Sequence, residues 1–400
     1  MSADWQVHPR NIDLSRTFDP ISGWKQLVMV ERYGPPDSWS LSGPSSALSI
    51  FGPGMGCIVD RDGKQISSGQ VTGISRKAET QGKRVIDTMT VSFSGDLAVL
   101  GGRVVRPSPG VQLVPGVIRT FPDAYDLRTG IVEDLIIGYI RSHLGNLALA
   151  DRRLARLRLP VSQGRGGTTQ VSGRFDNLGV LIQSLAEVGG LRVRLVHTED
   201  GNGPWLDLVI DEVRDLSVNV RFGTADSTSA GLITDWSYDI SAPTTTRPLL
   251  GLGGELEARE FLELRDTEAE DLWGQVWETF VDQRGIAPDS EDKLAEATRE
   301  GQQALESGRG PVKVAFTPML GPDLEYRTDV RVGDIVGYDL PGLDPAEDKI
   351  REATTTVSSG TGQKSESTSV VVGTPDAAST RSQQQTAKAL RGINVIQRSK

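Results

Sequence analysis

The sequence predicts an α+β fold that is predominantly β, and three observations carry that prediction. Short runs alternate apolar and polar residues at period two through the first hundred positions and again beyond Leu216, as half-buried strands require. Clusters of Gly, Pro, Asn, Asp and Ser punctuate those runs. Between them the period lengthens to that of helices, from Gly130 to Leu144 and from Leu178 to Leu185. A chain of 400 residues is long for one core at about 150 residues per domain, so two or three domains are expected.

Residues 1–120 read as an N-terminal β domain, a compact sandwich or barrel. Met89, Val91 and Phe93 share one face of a strand, and Thr88, Thr90 and Ser92 take the other. Trp39 and Leu41 repeat the pattern in SWSLSG, while Asp62-Gly63 is the dipeptide of a type I′ hairpin turn. Residues 121–215 read as an α+β insert. Its first helix carries Ile131, Leu135, Ile136, Tyr139 and Ile140. The second is capped by Asp176 or Asn177, striped by Leu178, Leu181, Ile182 and Leu185, and ended by Gly189-Gly190. The alternating runs LRVRLV and WLDLVI then make a strand pair.

Residues 216–375 read as a second β region, with strands in VNVRF, DWSYDI, PLLGLGG, PVKVAF, DVRVGDIVGYDL, IREATTTVSS and STSVVVGT. A helical insertion at about 266–308 interrupts it. There Trp273, Val276, Trp277, Phe280 and Val281 predict one apolar helix stripe, read as core rather than as a sugar-stacking surface. A polar helix, Asp289 to Ser307, follows. The Ala, Ser, Thr and Gln composition of 376–400 predicts an exposed tail.

Charge and motifs exclude several functions. With 43 Lys and Arg against 53 Asp and Glu, the net charge is -10, which disfavours a protein that grips nucleic acid by its phosphates. The single cysteine, Cys57, forms no internal disulfide and reads as a small buried hydrophobe. The N-terminus lacks a secretory pattern, and no apolar run reaches the length of a membrane span, so synthesis in a reducing cytosol is expected. His8, His143 and His197 are too scattered for a zinc motif. GPGMG and GRGGTT lack the context of phosphate loops and read as turns, and no Gly-x-Ser-x-Gly elbow occurs. Two carboxylate pairs could serve a glycosidase, Asp207 with Asp211 and Asp123 with Asp126. Asp207 and Asp211 alternate with Leu206, Leu208 and Ile210, the pattern of a solvated strand face. No catalytic, cofactor-binding or metal-binding residue is therefore predicted.

The stretch SFSGDLAVLGGRVVRPSPG, Ser92 to Gly110, reads as the last strand of the first β domain and its exit. Asp96 is predicted to cap a short apolar turn, and Pro107 and Pro109 to enforce an extended departure. In order along the chain, this stretch, RFDNLGVLIQSLAEVGGLRVRL, WSYDISAPTTTRPLLGLGGELEAREFLE, DLWGQVWETFVDQRG and DVRVGDIVGYDLPG resemble the tail-hub or baseplate-hub proteins of long-tailed phages. The likeness is nearest to the minor tail proteins of actinobacteriophages, although Gly101-Gly102 replaces a more polar pair before the arginine. The resemblance implies a homotrimer at the distal end of the tail. Two tube-like antiparallel β domains per chain would make a pseudo-sixfold ring there. It further implies contact with a distal tail protein or tube ring, with tip or receptor-binding proteins, and with a tape-measure protein as another candidate. DNA would pass through without specific binding, and the protein would be carried in the virion with no appended peptidase or glycosidase domain. Asp96, Arg103 and Arg106 are then subunit-contact candidates. The alternatives are a tail-associated cell-wall hydrolase and a host-glycan-binding module.

Overall fold

The structure, a computed structural model, describes residues 3–373 except 18, 82–83, 225–230, 255, 287, 289–292, 310–311, 319–323, 344 and 360–363. The predicted tail, 376–400, lies outside the described residues. Two compact units emerge: Met1–Asp235 with Phe316–Gly373, and a second that covers Trp236–Ala315.

The first unit begins with β1 (Trp5–Arg10), β2 (Gln26–Arg32), β3 (Ser38–Pro44), α1 (Ser45–Leu48), β4 (Gly56–Arg61), β5 (Lys64–Gln81), β6 (Arg84–Gly95) and α2 (Ala98–Gly101). The predicted alternation is what folds here. Leu27, Met29, Trp39, Leu41, Val91 and Phe93 point into one core, where Trp39 and Phe93, opposite each other in register on β3 and β6, stack at 5.6 Å. Asp62 and Gly63 join β4 to β5 with φ of 52° and 74°, the positive pair that a type I′ turn needs. Gly69 allows a close strand approach, since a Cβ there would stand 2.1 Å from the Ser94 carbonyl oxygen and 2.6 Å from the Trp39 ring.

The insert follows as β7 (Asp126–Ile131), α3 (Val132–His143), β8 (Leu157–Arg158), β9 (Thr168–Gly173), α4 (Leu178–Val188), β10 (Leu191–Asp200) and β11 (Gly203–Glu212). Both predicted helices and the antiparallel β10–β11 pair are present. Asn177 caps α4 by accepting from the Val180 N–H at 3.2 Å, and Gly190, at φ 61°, stands just past its end. Leu135, Ile136, Tyr139 and Ile140 of α3 meet Leu181, Ile182 and Leu185 of α4 over Leu191, Val193, Leu208 and Ile210. The short pairings β7–β9 and β8–β11 carry no alternating apolar pattern and were not predicted.

The chain continues through β12 (Arg221–Gly223) and β13 (Gly231–Ile240) to β14 (Arg247–Gly251), a 3-10 turn at Leu256–Ala258, β15 (Phe261–Glu263), α5 (Thr267–Trp273), β16 (Glu278–Asp282) and α6 (Lys293–Gly308). It closes with β17 (Val312–Pro318), β18 (Ile335–Asp339), β19 (Ala346–Ser359) and β20 (Lys364–Val372). One 12-stranded sheet has the order β1-β4-β5-β6-β3-β2-β19-β18-β12-β13-β17-β20, with β20 pairing β19 as well. The first β region thus supplies six consecutive strands and the second supplies six more. Antiparallel pairing of β2 with β19, Gln26–Arg32 against Glu352–Ser358, joins them. Side chains reinforce this seam: Arg32 pairs with Glu352 at 3.0 Å, and Arg327 pairs with Glu31 at 2.5 Å and with Glu366 at 3.7 Å.

The predicted Trp273–Val281 helix stripe is corrected. Asp266 caps α5 by accepting from the Ala269 N–H at 3.0 Å, but Gly274 ends the helix in the left-handed region at φ 62°. Thr279, Phe280 and Val281 then form β16, parallel to β14. Trp273 and Trp277 meet edge to face at 6.5 Å rather than on one helix, and Trp273 is 39% exposed. The core of this unit consists of Leu250, Leu252, Ile286 and Ala297, and of the predicted stripe only Val281, with Leu262, packs against it.

Candidate functional site

The corner after β6 brings the sequence-predicted residues into view. The predicted capping role of Asp96 is corrected: its backbone carbonyl, not its carboxylate, accepts from the Val99 N–H at 3.2 Å. The carboxylate accepts from Arg10 Nη1 at 2.8 Å, from Arg10 Nη2, and from Ser68 Oγ at 2.5 Å. Arg10 is fully buried. An uncompensated buried guanidinium costs several kcal/mol, about 3–5, against about 1 for a cap, so the ion pair takes the carboxylate. Gly56 makes room for Arg10, because a Cβ there would stand 2.7 Å from its Nε. Arg10 gives no local signal, being 86 residues away in sequence.

The exit segment lies against the insert, and in place of the predicted extended departure it bends and turns over Pro107–Gly110, where the Val111 N–H donates to the Ser108 carbonyl at 3.1 Å. The Val105 N–H donates to the Asp176 carbonyl at 2.8 Å, and the Arg106 N–H donates to His143 Nε2 at 3.0 Å. His143 Nδ1 faces the Tyr139 carbonyl at 3.0 Å, so the neutral ring bridges the exit to α3, and burial pushes its pKa down. Three guanidinium groups collect here. Arg103 donates to the Gly102 carbonyl, Arg106 to the Val111 carbonyl at 3.1 Å, and Arg152 to the Val104 carbonyl at 2.7 Å. Among the described residues none of the three has a carboxylate within ion-pair distance. The buried Arg152 Nη1 and Arg103 Nε have no hydrogen-bond partner. The sequence reading found Arg103 and Arg106 and missed Arg152, which only the fold brings alongside. Asp96 is not paired with either predicted arginine.

The other chemical candidates are engaged within the fold. Asp207 is bound by Arg158 Nε at 2.6 Å and by Thr198 Oγ1 at 2.9 Å, and Asp211 by Arg194 at 2.5 Å. Asp123 accepts from Ser108 Oγ at 2.7 Å, and Asp126 from Arg128 at 2.7 Å. The GRGGTT turn wraps a carboxylate of the protein itself: Glu133, buried at the start of α3, accepts from the Gln163 and Arg165 N–H groups, each at 3.0 Å, and from the Arg165 side chain. Cys57 is buried with Trp39 Nε1 at 3.2 Å, and burial pushes its thiol up to about 12. No group of three metal-ligating side chains occurs among the described residues. A cleft of about 350 Å³ beside the corner includes Leu14, Val71, Ala98, Leu154 and Arg156 in its lining, together with the already paired Asp96.

The fold is that of phage tail proteins. The chain is similar to the tail protein from Neisseria meningitidis MC58, at 12% identity over 93% of this chain and 97% of that one, with a TM-score of 0.51. It is also similar to the 43 kDa tail protein of prophage MuSo2 from Shewanella oneidensis, at 13% identity over 94% and 98%, TM-score 0.50. Prophage tail protein gp18 from Listeria monocytogenes EGD-e is a third, at 11% identity over 96% and 99%, TM-score 0.52. At these identities the likeness speaks for the fold. Sequence defines the family: residues 5–374 match the Siphovirus ReqiPepy6 Gp37-like proteins, and the chain belongs to that family. No curated protein matches it in sequence. The chain is thus a member of a siphovirus protein family and has the fold of phage tail proteins. No helix among the described residues is long and apolar enough to cross a membrane.

Proposed function

We propose that this chain is the hub of a siphovirus tail of the kind found among actinobacteriophages, a homotrimer that joins the sixfold tail tube to the tip and surrounds the DNA exit passage. One observation carries the reading: two consecutive six-strand series within a single sheet, joined by β2 and β19. Three copies of such a chain offer six β regions to a sixfold neighbour, and a closed ring avoids open-ended growth. The seam of Arg32, Glu352, Arg327, Glu31 and Glu366 ties β2 to β19 and β20 within the first unit, as a symmetry adaptor needs. In this reading Arg103 and Arg106 face a neighbouring subunit, and Asp96 serves that contact by holding the corner through Arg10.

The partners are a distal tail protein or tube ring above and tip or receptor-binding proteins below, with a tape-measure protein in the passage before ejection. The chain is made in the host cytoplasm and acts without cofactor or catalysis. The engagement of Asp207, Asp211, Asp123 and Asp126 in intramolecular pairs supports a structural role over a cell-wall hydrolase. Native mass spectrometry of the assembled protein tests the trimer, and incubation with purified host cell wall tests for turnover. A monomer or dimer in the particle, or release of wall fragments, contradicts the proposal.

A further inference from the structure

The three strands of the second unit's sheet, in the order β15-β14-β16, each carry an apolar pair: Phe261-Leu262, Leu249-Leu250 and Phe280-Val281. Successive side chains of a strand point to opposite faces, so both faces of this sheet are apolar, the pattern of a sheet covered on both sides. One face is covered: Leu250, with Leu262 and Val281 against it, meets Ala297 of α6. The other carries Leu249, Phe261 and Phe280, which are 38%, 54% and 52% exposed. They form one patch, because Leu249 stands opposite Phe280 in register and Arg259 lies across both rings, 5.7 Å from Phe261 and 5.3 Å from Phe280. Glu263, Glu278 and Asp282 share that face by the same period of two. Clustered apolar side chains with a polar rim mark an interaction site, and this rim is acidic.

Charge and chain order name the occupant. Residues 236–315 hold 17 Asp and Glu against 8 Lys and Arg, whereas residues 374–400 hold 5 Lys and Arg against one Asp. Apart from Lys83, those five are the only basic residues outside the described ones. The last stretch, TAKALRGINVIQRSK, sets Leu390, Ile393, Val395 and Ile396 among Lys388, Arg391 and Arg398, the complement of an apolar patch with an acidic rim. Val372 of β20 pairs with Phe316 of β17, and Phe316 directly follows Ala315, the last residue of 236–315. The segment therefore sets out beside the point where that unit's chain ends. Residues 374–385 span at most about 40 Å when extended, and so short a tether holds a segment at an effective concentration of about millimolar, enough to fill a site of modest affinity.

We propose that the outer face of the β15-β14-β16 sheet is the docking site of segment 386–400 of the same chain, with its aliphatic side chains against Leu249, Phe261 and Phe280 and its Lys and Arg towards Glu263, Glu278 and Asp282. The contact is made within one chain, so it stands apart from the hub reading and from any copy number. Apolar burial supplies the affinity, and the opposite charges fix which segment is accepted.

The test is the rate of trypsin cleavage after Lys388 and Arg391 in the full chain, followed by mass spectrometry, because proteolysis tracks the population of the undocked segment. Both bonds are expected to be cut at least about tenfold more slowly than in the free peptide 382–400, at every protein concentration. The double variant Glu263→Lys with Glu278→Lys, and separately Phe280→Ser, are expected to bring the rate back to that of the peptide. Ile393→Asp is expected to do the same from the other side of the contact while leaving the folded unit untouched, which separates release from misfolding. Cleavage of the wild-type chain as fast as the peptide overturns the proposal. So does slow cleavage that ignores the variants of the sheet face, which puts the segment elsewhere. Slow cleavage that is lost on dilution assigns the cover to the segment of a second copy and also overturns it.

Discussion

Replacing Asp96 by alanine tests what holds the corner between the first β region and the insert. The substitution removes the acceptor of two bonds from Arg10 and one from Ser68, and leaves the Arg10 guanidinium, with 1% of its side chain exposed, uncompensated. Breaking a buried pair from one side costs about 3–5 kcal/mol, a large share of the roughly 5–15 kcal/mol by which domains are stable. Urea unfolding followed by tryptophan fluorescence is the assay, since Trp39 lies in the adjoining core. A fall in midpoint at constant slope reports lost stability. The double variant Arg10→Met with Asp96→Leu should recover most of the loss, because an apolar pair carries no desolvation penalty. The exposed pair Arg76–Asp87 is the control, and Arg76→Ala should leave the midpoint unchanged. If Asp96→Ala cost under about 1 kcal/mol, water would have to reach Arg10 and the buried-pair reasoning would fail.

Four further outcomes are expected. Burial, aided by Glu31, raises the pKa of Asp37 from 3.8 to about 6. The folded state therefore holds that proton more tightly than the unfolded chain, and stability is lost as pH rises from about 4 to 6, by up to about 3 kcal/mol at 1.36 kcal/mol per unit. Asp37→Asn should remove this loss, matching wild type below pH 4 and exceeding it at pH 7 in urea titrations; a variant less stable at pH 7 would refute the assignment. Trp273→Ala should cost no more than about 1.5 kcal/mol, the scale of the edge contact with Trp277 rather than of a core cavity; a loss of 3 kcal/mol or more in thermal unfolding would restore the core reading. Cys57→Ala should lower stability by about 1 kcal/mol, set by packing, without altering assembly, and a well-folded variant that no longer assembles would contradict it. Asp and Glu should outnumber Lys and Arg on the channel wall of the assembled ring. Tight duplex binding that weakens steeply with salt would instead mark a ring that holds DNA.

Where a side chain's neighbours are close in sequence, the sequence was readable. The alternation of Met89, Val91 and Phe93, the Asp62-Gly63 turn and the Asn177 cap of α4 each depend on residues within a few positions, and each appears as predicted. Trp273–Val281 misled because apolar spacing of three and four fits a helix, while the left-handed Gly274 inside it breaks one. Composition weighed the stripe and overlooked the stop. Asp96 misled for the opposite reason: its local context suits a cap, but a buried arginine from β1 outbids it. Arg152 gave no local sign at all, since its meaning comes from Arg103 and Arg106 arriving beside it in the fold.

The copy number and symmetry of the chain in intact tails test the hub most directly. Electron cryomicroscopy of the tail tip should show three copies about a threefold axis, each lending its two β regions to one ring of six that continues the tube. Six copies with one β region each in the ring, or a single copy off the axis, would contradict the account.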